Sequence, residues 1–184
     1  VAAILLIPLL TYSAFSLVDR STHQSVPIDS WVEIVSPKGT RTHVNLPDGT
    51  KVSLNGSTQL LYHSGFERNR LVRLKGEAWF DVFHDAGSPF IVQTGEMDVR
   101  VLGTKFSVAS FDDEKISDVI VEEGKVLLTG KEKGKSFSKK LNPNEGFFFN
   151  KETHSGEVLN VDAKTLTAWK EGILIFRSEH FGDV

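Results

Sequence analysis

The 184-residue chain has no cysteine. A disulfide framework, a thiolate metal site and a cysteine nucleophile are therefore excluded. It also lacks an excess of basic charge: 21 Lys and Arg stand against 24 Asp and Glu, for a net charge of −3. A nucleic-acid partner calls for a basic surface, so none is expected. The histidines, at 23, 43, 63, 84, 154 and 180, never fall at metal-ligand spacing and read as solvated loop residues. There is no nucleophile elbow and no phosphate-cradling glycine loop, because the glycines lie between strands and not at helix starts. Charge of either sign is missing from Val1 to Val18 (VAAILLIPLLTYSAFSLV) and begins at Asp19.

As a helix, that uncharged opening would be about 27 Å long, about the thickness of a bilayer's hydrocarbon core. Residues 1–18 are read as one transmembrane helix. A signal peptide has a shorter apolar region, and Tyr12-Ser13-Ala14 is a poor cleavage site. A buried helix is the third alternative, and Pro8 is better tolerated in a membrane. Residues 19–30 (DRSTHQSVPIDS) are polar, without periodicity, and read as a linker. The chain begins at Val1 instead of Met and stops at Val184 inside what looks like a new element. A segment ahead of it and a further domain behind it are expected.

From 31 to 160 the texture is all-β: short runs split by Gly, Pro, Asn and Asp, with no helical period. Val99–Leu102 and Phe106–Val108 alternate, as a strand with one buried face requires. Leu71–Lys75 and Ala78–Phe83 are read as separate strands. Pro47-Asp48-Gly49 and Asn55-Gly56 are turn signals. A strand–glycine–strand pattern recurs at Gly49, Gly76, Gly103 and Gly124, at intervals of 27, 27 and 21 residues. A period in the twenties suggests stacked units, so the expected fold is a solenoid-like or sandwich domain of short strands, with each glycine at a tight turn. Gly103 is expected to hold a positive φ or a close backbone approach. After Asn160, Asp162–Trp169 reads as a short helix with Asp162 as its N-cap and Gly172 as its stop, and Ile173–Phe176 as a strand.

Few constellations suggest chemistry. Asp112-Asp113-Glu114 lacks the spaced ligands of a calcium loop and reads as a solvated tip. Asp81, His84 and Asp85 could seed an acid–base pair, but alternation over Trp79–Phe83 makes them a polar strand end. Phe147-Phe148-Phe149 cannot all face one core; burial between two layers and a partner site are the alternatives. Trp79, Phe83 and Phe90 are expected in the core.

These residues also carry a family resemblance. Leu46–Asn55 (LPDGTKVSLN) resembles the periplasmic domain of FecR-type anti-sigma factors, with Asp48 and Gly49 in the motif. So does Arg70–Val82 with its Gly76, Glu77 and Phe80, followed by Pro89 and Phe90 in P-F-x-V-x-T. Val99–Val108, with Gly103, Thr104 and Phe106, and Val121–Val126, with Gly124, complete the set. Trp169, Gly172, Leu174 and Phe176 resemble the opening of the small C-terminal α+β domain of TonB-linked members, begun here over residues 161–184.

The resemblance implies a single-pass inner-membrane protein with its β-domain in the periplasm. Its partners would be the signalling domain of an outer-membrane TonB-dependent receptor and, through a cytoplasmic segment, a sigma factor. It implies no catalytic residue and no cofactor. The alternatives are an envelope-anchored carbohydrate-binding or carbohydrate-active domain and a purely structural envelope protein. A partner-binding end is expected at Trp169, Gly172, Leu174 and Phe176.

Overall fold

The computed structural model describes residues 30–66 and 69–173. The expected transmembrane helix and most of the linker lie outside these residues. Among the described residues, no helix is long and apolar enough to cross a membrane.

Among the described residues, thirteen strands form one continuous sheet folded into two layers. They are β1 (Trp31–Ser36), β2 (Thr42–Asn45), β3 (Lys51–Leu54), β4 (Thr58–His63), β5 (Leu71–Asp81), β6 (Phe90–Gln93) and β7 (Met97–Val101). Then come β8 (Lys105–Ser110), β9 (Ile116–Glu123), β10 (Val126–Glu132), β11 (Lys135–Leu141), β12 (Glu145–Asn150) and β13 (Ser155–Asn160). The first layer runs β1-β4-β5-β6-β7-β10-β11, and the second β2-β3-β5-β8-β9-β12-β13.

β5 belongs to both layers. Its first half, through Lys75, pairs with β4 and β6. Its second half, from Gly76, pairs with β3 and β8. The chain turns this corner at Gly76, whose φ is +105°. A Cβ there would stand 2.5 Å from Thr58 Oγ1 and 2.8 Å from Thr58 Cα, so only glycine fits. The sequence suggested two strands split at Gly76; the structure has one bent strand, because hydrogen bonding continues through the corner.

The solenoid alternative is overturned. A solenoid stacks successive units side by side, whereas here the chain alternates between layers and nearly every pair is antiparallel. β5–β6 is the one parallel pair among the described strands, and the second half of β5 supplies the crossover such a pair needs. The glycine repeat has a different cause. Gly76, Gly103 and Gly124 lie where the chain passes from one layer to the other, while Gly49 lies in the β2–β3 hairpin of a single layer.

Between the layers sit the apolar residues of each alternating strand. Phe80 stacks on Phe106 at 5.1 Å, Phe90 meets Phe80 edge-on, and Phe66 in turn meets Phe90 edge-on. A second aromatic group joins Phe137, Phe147 and Phe149. Phe148 lies on the opposite face, half-buried, so the Phe run is divided as a pleated strand demands. Two expected core residues are not there. Phe83 falls just past β5 and is 59% exposed, and Trp79 is on the outer face of the second layer.

Gly103 is held by contact, not by φ. A Cβ on it would meet His84 Nδ1 at 2.4 Å and His84 Cα at 2.8 Å. Gly103→Ala should therefore cost about 1–3 kcal/mol through overpacking. Gly95 is the proper control, because it is exposed, needs no positive φ and has nothing within 4 Å of the added carbon. Gly95→Ala should stay within about 0.5 kcal/mol. Equal urea midpoints for the two variants would remove any special role for Gly103.

Candidate functional site

Two regions bring the noteworthy side chains together. The first is an end of the sandwich built from the sequence motifs. In the turn before β3, Asp48 accepts from the backbone N–H of Thr50 at 2.9 Å and from its hydroxyl at 2.8 Å. This fixes the carboxylate toward Arg70, whose Nε donates to Asp48 Oδ2 at 2.8 Å and whose Nη2 stands 2.7 Å from the same oxygen. The pair is buried, with side-chain exposures of 8% and 3%. The guanidinium has more partners: it donates to the Ser88 carbonyl at 2.8 Å and the Phe83 carbonyl at 2.6 Å, and lies over the Phe90 ring. Thr50 Oγ1 accepts from the Phe83 N–H at 3.1 Å.

The remaining motif residues belong to the same framework. Gly49 has φ +86° and ends the turn beside Phe83. Pro89 follows the Ser88 carbonyl that Arg70 holds, and leads into buried Phe90. Thr104 is buried; its carbonyl accepts from the Val82 N–H and its hydroxyl donates to the Lys125 carbonyl. Gly124 (φ +90°) packs on Thr104 and Gly103. Phe80 and Phe106 are core. Glu77 differs: it comes directly after the Gly76 corner and points outward.

The second region is the outer face of the second layer, where the C-terminal segment folds back. Asp162 caps α1 (Ala163–Leu166), its side chain accepting from the Thr165 N–H. A 3-10 turn over Ala168–Glu171 comes next, closed by Gly172 at φ +82°. Glu122, on β9, is the anchor. Its Oε1 accepts from Trp79 Nε1 at 2.7 Å, from Lys170 Nζ at 2.6 Å and from the buried Thr167 hydroxyl. Lys170 also lies over the Trp79 ring at 4.7 Å. Arg41 Nη1 donates to the Trp169 carbonyl at 2.8 Å.

Two more carboxyl groups lie on this face, two strands apart in one cross-strand row, Glu77–Ala109–Asp118. Asp118 is pushed up to about 7, chiefly by burial and also by the charges of Glu77 and Glu114. Glu77 is also raised, chiefly by burial, while the Asn55 amide donating at 2.6 Å opposes the rise. The Trp169 indole N–H faces Glu77 and opposes it too, but makes no hydrogen bond of good geometry and is otherwise buried without a partner.

Of the expected partner-binding end, Trp169 and Gly172 lie on this face, and Leu174 and Phe176 lie outside the described residues. The sequence did not point to Glu122, Lys170, Thr167, Arg41 or Asp118. The only signal was polar spacing in β9, and nothing local says that a segment 40 residues on covers that face. Among the described residues, no three His, Cys, Asp or Glu side chains converge as a metal site.

The sequence profile of the FecR protein family matches residues 32–127. This chain belongs to the FecR family. Two crystal structures resemble it closely, both of a protein assigned as an anti-sigma factor from Parabacteroides distasonis ATCC 8503. One, at 2.50 Å resolution, is 38% identical with a TM-score of 0.75, covering 80% of this chain and 68% of its own. The other, at 1.65 Å, is 39% identical with a TM-score of 0.74, covering 79% and 68%. No curated protein matches the chain. The FecR match, from β1 into β10, spans the first region and the sheet side of the second, with Trp79, Asp118 and Glu122, but not the C-terminal segment laid on it.

Two outcomes are expected. Asp48→Ala leaves a buried guanidinium without its carboxylate and should cost about 3–5 kcal/mol. A loss below about 1 kcal/mol in urea unfolding would show that the carbonyls alone satisfy Arg70. The second concerns pH. Asp118 ionises near 4 when unfolded and near 7 when folded, so the folded state binds the extra proton between those values. Its contribution to stability is thus present at low pH and is lost as pH rises through 7. Asp118→Asn should flatten that decline and raise stability at pH 8 by up to about 4 kcal/mol. An unchanged slope between pH 4 and 8 would contradict it.

Proposed function

We propose that this FecR-family chain is the sensing and relay part of a single-pass anti-sigma factor. Residues 1–18 cross the inner membrane, residues 19–30 tether the β-domain in the periplasm, and residues 161–184 begin a small C-terminal domain. A signal from an outer-membrane TonB-dependent receptor passes through the β-domain to a cytoplasmic extracytoplasmic-function sigma factor. The chain catalyses nothing and takes no cofactor.

The observation that carries this reading is the C-terminal latch. A relay needs a mechanical connection between the end that meets the receptor and the end that reaches the membrane. Here the segment Asp162–Gly172 is fastened to the sheet by Glu122 and Arg41, and not left as a free linker. The latch is polar and charge-assisted, a kind of contact that holds geometry yet exchanges more readily than a packed apolar core. The receptor would be met by Trp169, Gly172, Leu174 and Phe176, through strand addition to an open sheet edge.

Isothermal titration against the receptor's periplasmic signalling domain tests this. The full periplasmic region should bind, and a chain ending at Asn160 should not. Glu122→Gln, which keeps the side chain's shape but weakens the latch, should reduce affinity by about tenfold. Equal affinity for the chain ending at Asn160 would rule out a partner site at the C-terminal end.

A further inference from the structure

The two outer faces of the sandwich carry opposite charge. The outer face of the second layer holds Glu77, Asp118 and Glu122 and is covered by the C-terminal segment. Among the described residues, no element lies across the outer face of the first layer. Its side chains are set by the register: Trp31 stands beside His63 on β4, and Leu71, Ile91, Arg100, Leu127 and Lys140 are neighbours across β5, β6, β7, β10 and β11. Leu61, Leu71, Ile91 and Leu127 are half-buried there, and Trp31 is 36% exposed. Around them stand Arg73, Arg100, Lys131 and Lys140, against Glu33 and Asp98. A chain of net charge −3 thus presents a cationic face with an apolar centre. The Arg73 guanidinium lies 4.2 Å from the centre of the Trp31 ring, at the corner where the chain enters the sheet.

We propose that this face lies on the surface of an anionic phospholipid bilayer. The inference rests on the reading of residues 1–18 as a membrane anchor. The linker 19–30 joins that segment directly to Trp31, on this face. Twelve residues reach at most about 43 Å when fully extended, so the face stays within that distance of the bilayer. Lys and Arg are drawn to anionic headgroups within about a Debye length, and Trp settles at the headgroup level. The acidic face then points away from the membrane, and the C-terminal segment leaves from that side, toward the outer membrane. An acidic protein partner would suit the charge equally, but it gives no reason for Trp31 and the tether to share this face.

The absence of cysteine makes the test direct, since one introduced thiol is unique. The full chain carrying Leu127→Cys and a nitroxide spin label is reconstituted into vesicles of phosphatidylcholine, with or without phosphatidylglycerol. Accessibility to a water-soluble nickel relaxation agent should fall several-fold in the anionic vesicles and recover at high salt. A label at Glu157→Cys, on the exposed edge strand β13, should not change. Arg100→Glu with Lys140→Glu, both exposed, should abolish the protection at Leu127→Cys while leaving the urea midpoint intact. Equal accessibility in both lipids, or protection that survives charge reversal, overturns the proposal. Flotation of the same vesicles after alkaline extraction reads the anchor separately. Loss of flotation would defeat the anchor, whereas retained flotation with an accessible label would defeat only the docked face.

Discussion

The fold depends on one buried cation. β5 is the strand on which both layers hinge, and its corner at Gly76 brings its two ends back together. Arg70 stands immediately before the strand and donates to the Phe83 carbonyl just after it. The same guanidinium takes the Asp48 carboxylate from the β2–β3 turn and the Ser88 carbonyl ahead of β6. Four pieces of chain from both layers are thus tied by one planar group, whose donors are spread in a rigid fork. A lysine could not do this, having a single point of charge. Such a pair adds little net stability over an apolar filling, since both charges had to leave water. Its value is in fixing geometry: the guanidinium ties both ends of β5 to the Asp48 turn and to the Ser88 carbonyl.

Much of this was legible in the sequence. The strands could be read because apolar alternation and turn residues agree with each other nearly everywhere, as in Val99–Leu102 and Phe106–Val108. The glycines marked real constraints, but not their kind. A glycine at Gly76 looks the same in sequence whether the chain ends a strand there or bends one, and only the continued pairing of Gly76 with Ser110 decides it. Phe83 shows a different limit. Alternation over Trp79–Phe83 put Trp79 and Phe83 on one face, which is correct, but the inward face is that of Phe80 and Val82. Periodicity gives the relative facing of neighbours and not the absolute direction.

The outer face of the second layer was beyond reach for another reason. Glu122, Thr167, Lys170 and Arg41 are drawn from three distant stretches, and each alone is an ordinary polar residue. What makes them a unit is tertiary: a short capped turn laid across β9. The capping signals of that turn were visible, Asp162 at its start and Gly172 at its end, so the element could be foreseen while its docking place could not. Side chains that act together across 40 or 130 residues leave no local pattern, which is why motif reading found the framework and missed the latch.

The distribution of charge joins these parts into one argument. A sandwich has two outer faces and no intrinsic preference between them. In this chain the described residues begin beside Trp31 on the cationic face, and the C-terminal segment lies across the acidic one. The acidic face is also where Asp118 resists ionisation until about pH 7, chiefly because it is buried and also because Glu77 and Glu114 stand near it. Loosening the latch would rehydrate that face and let the carboxylates ionise, and their mutual repulsion would then oppose its closing. Closure is therefore cooperative with the charge state of the face beneath it. Movement of the C-terminal segment off this face would change more than the position of one loop. It changes the electrostatics of an entire sheet face, fixed to a hinge strand that both layers share.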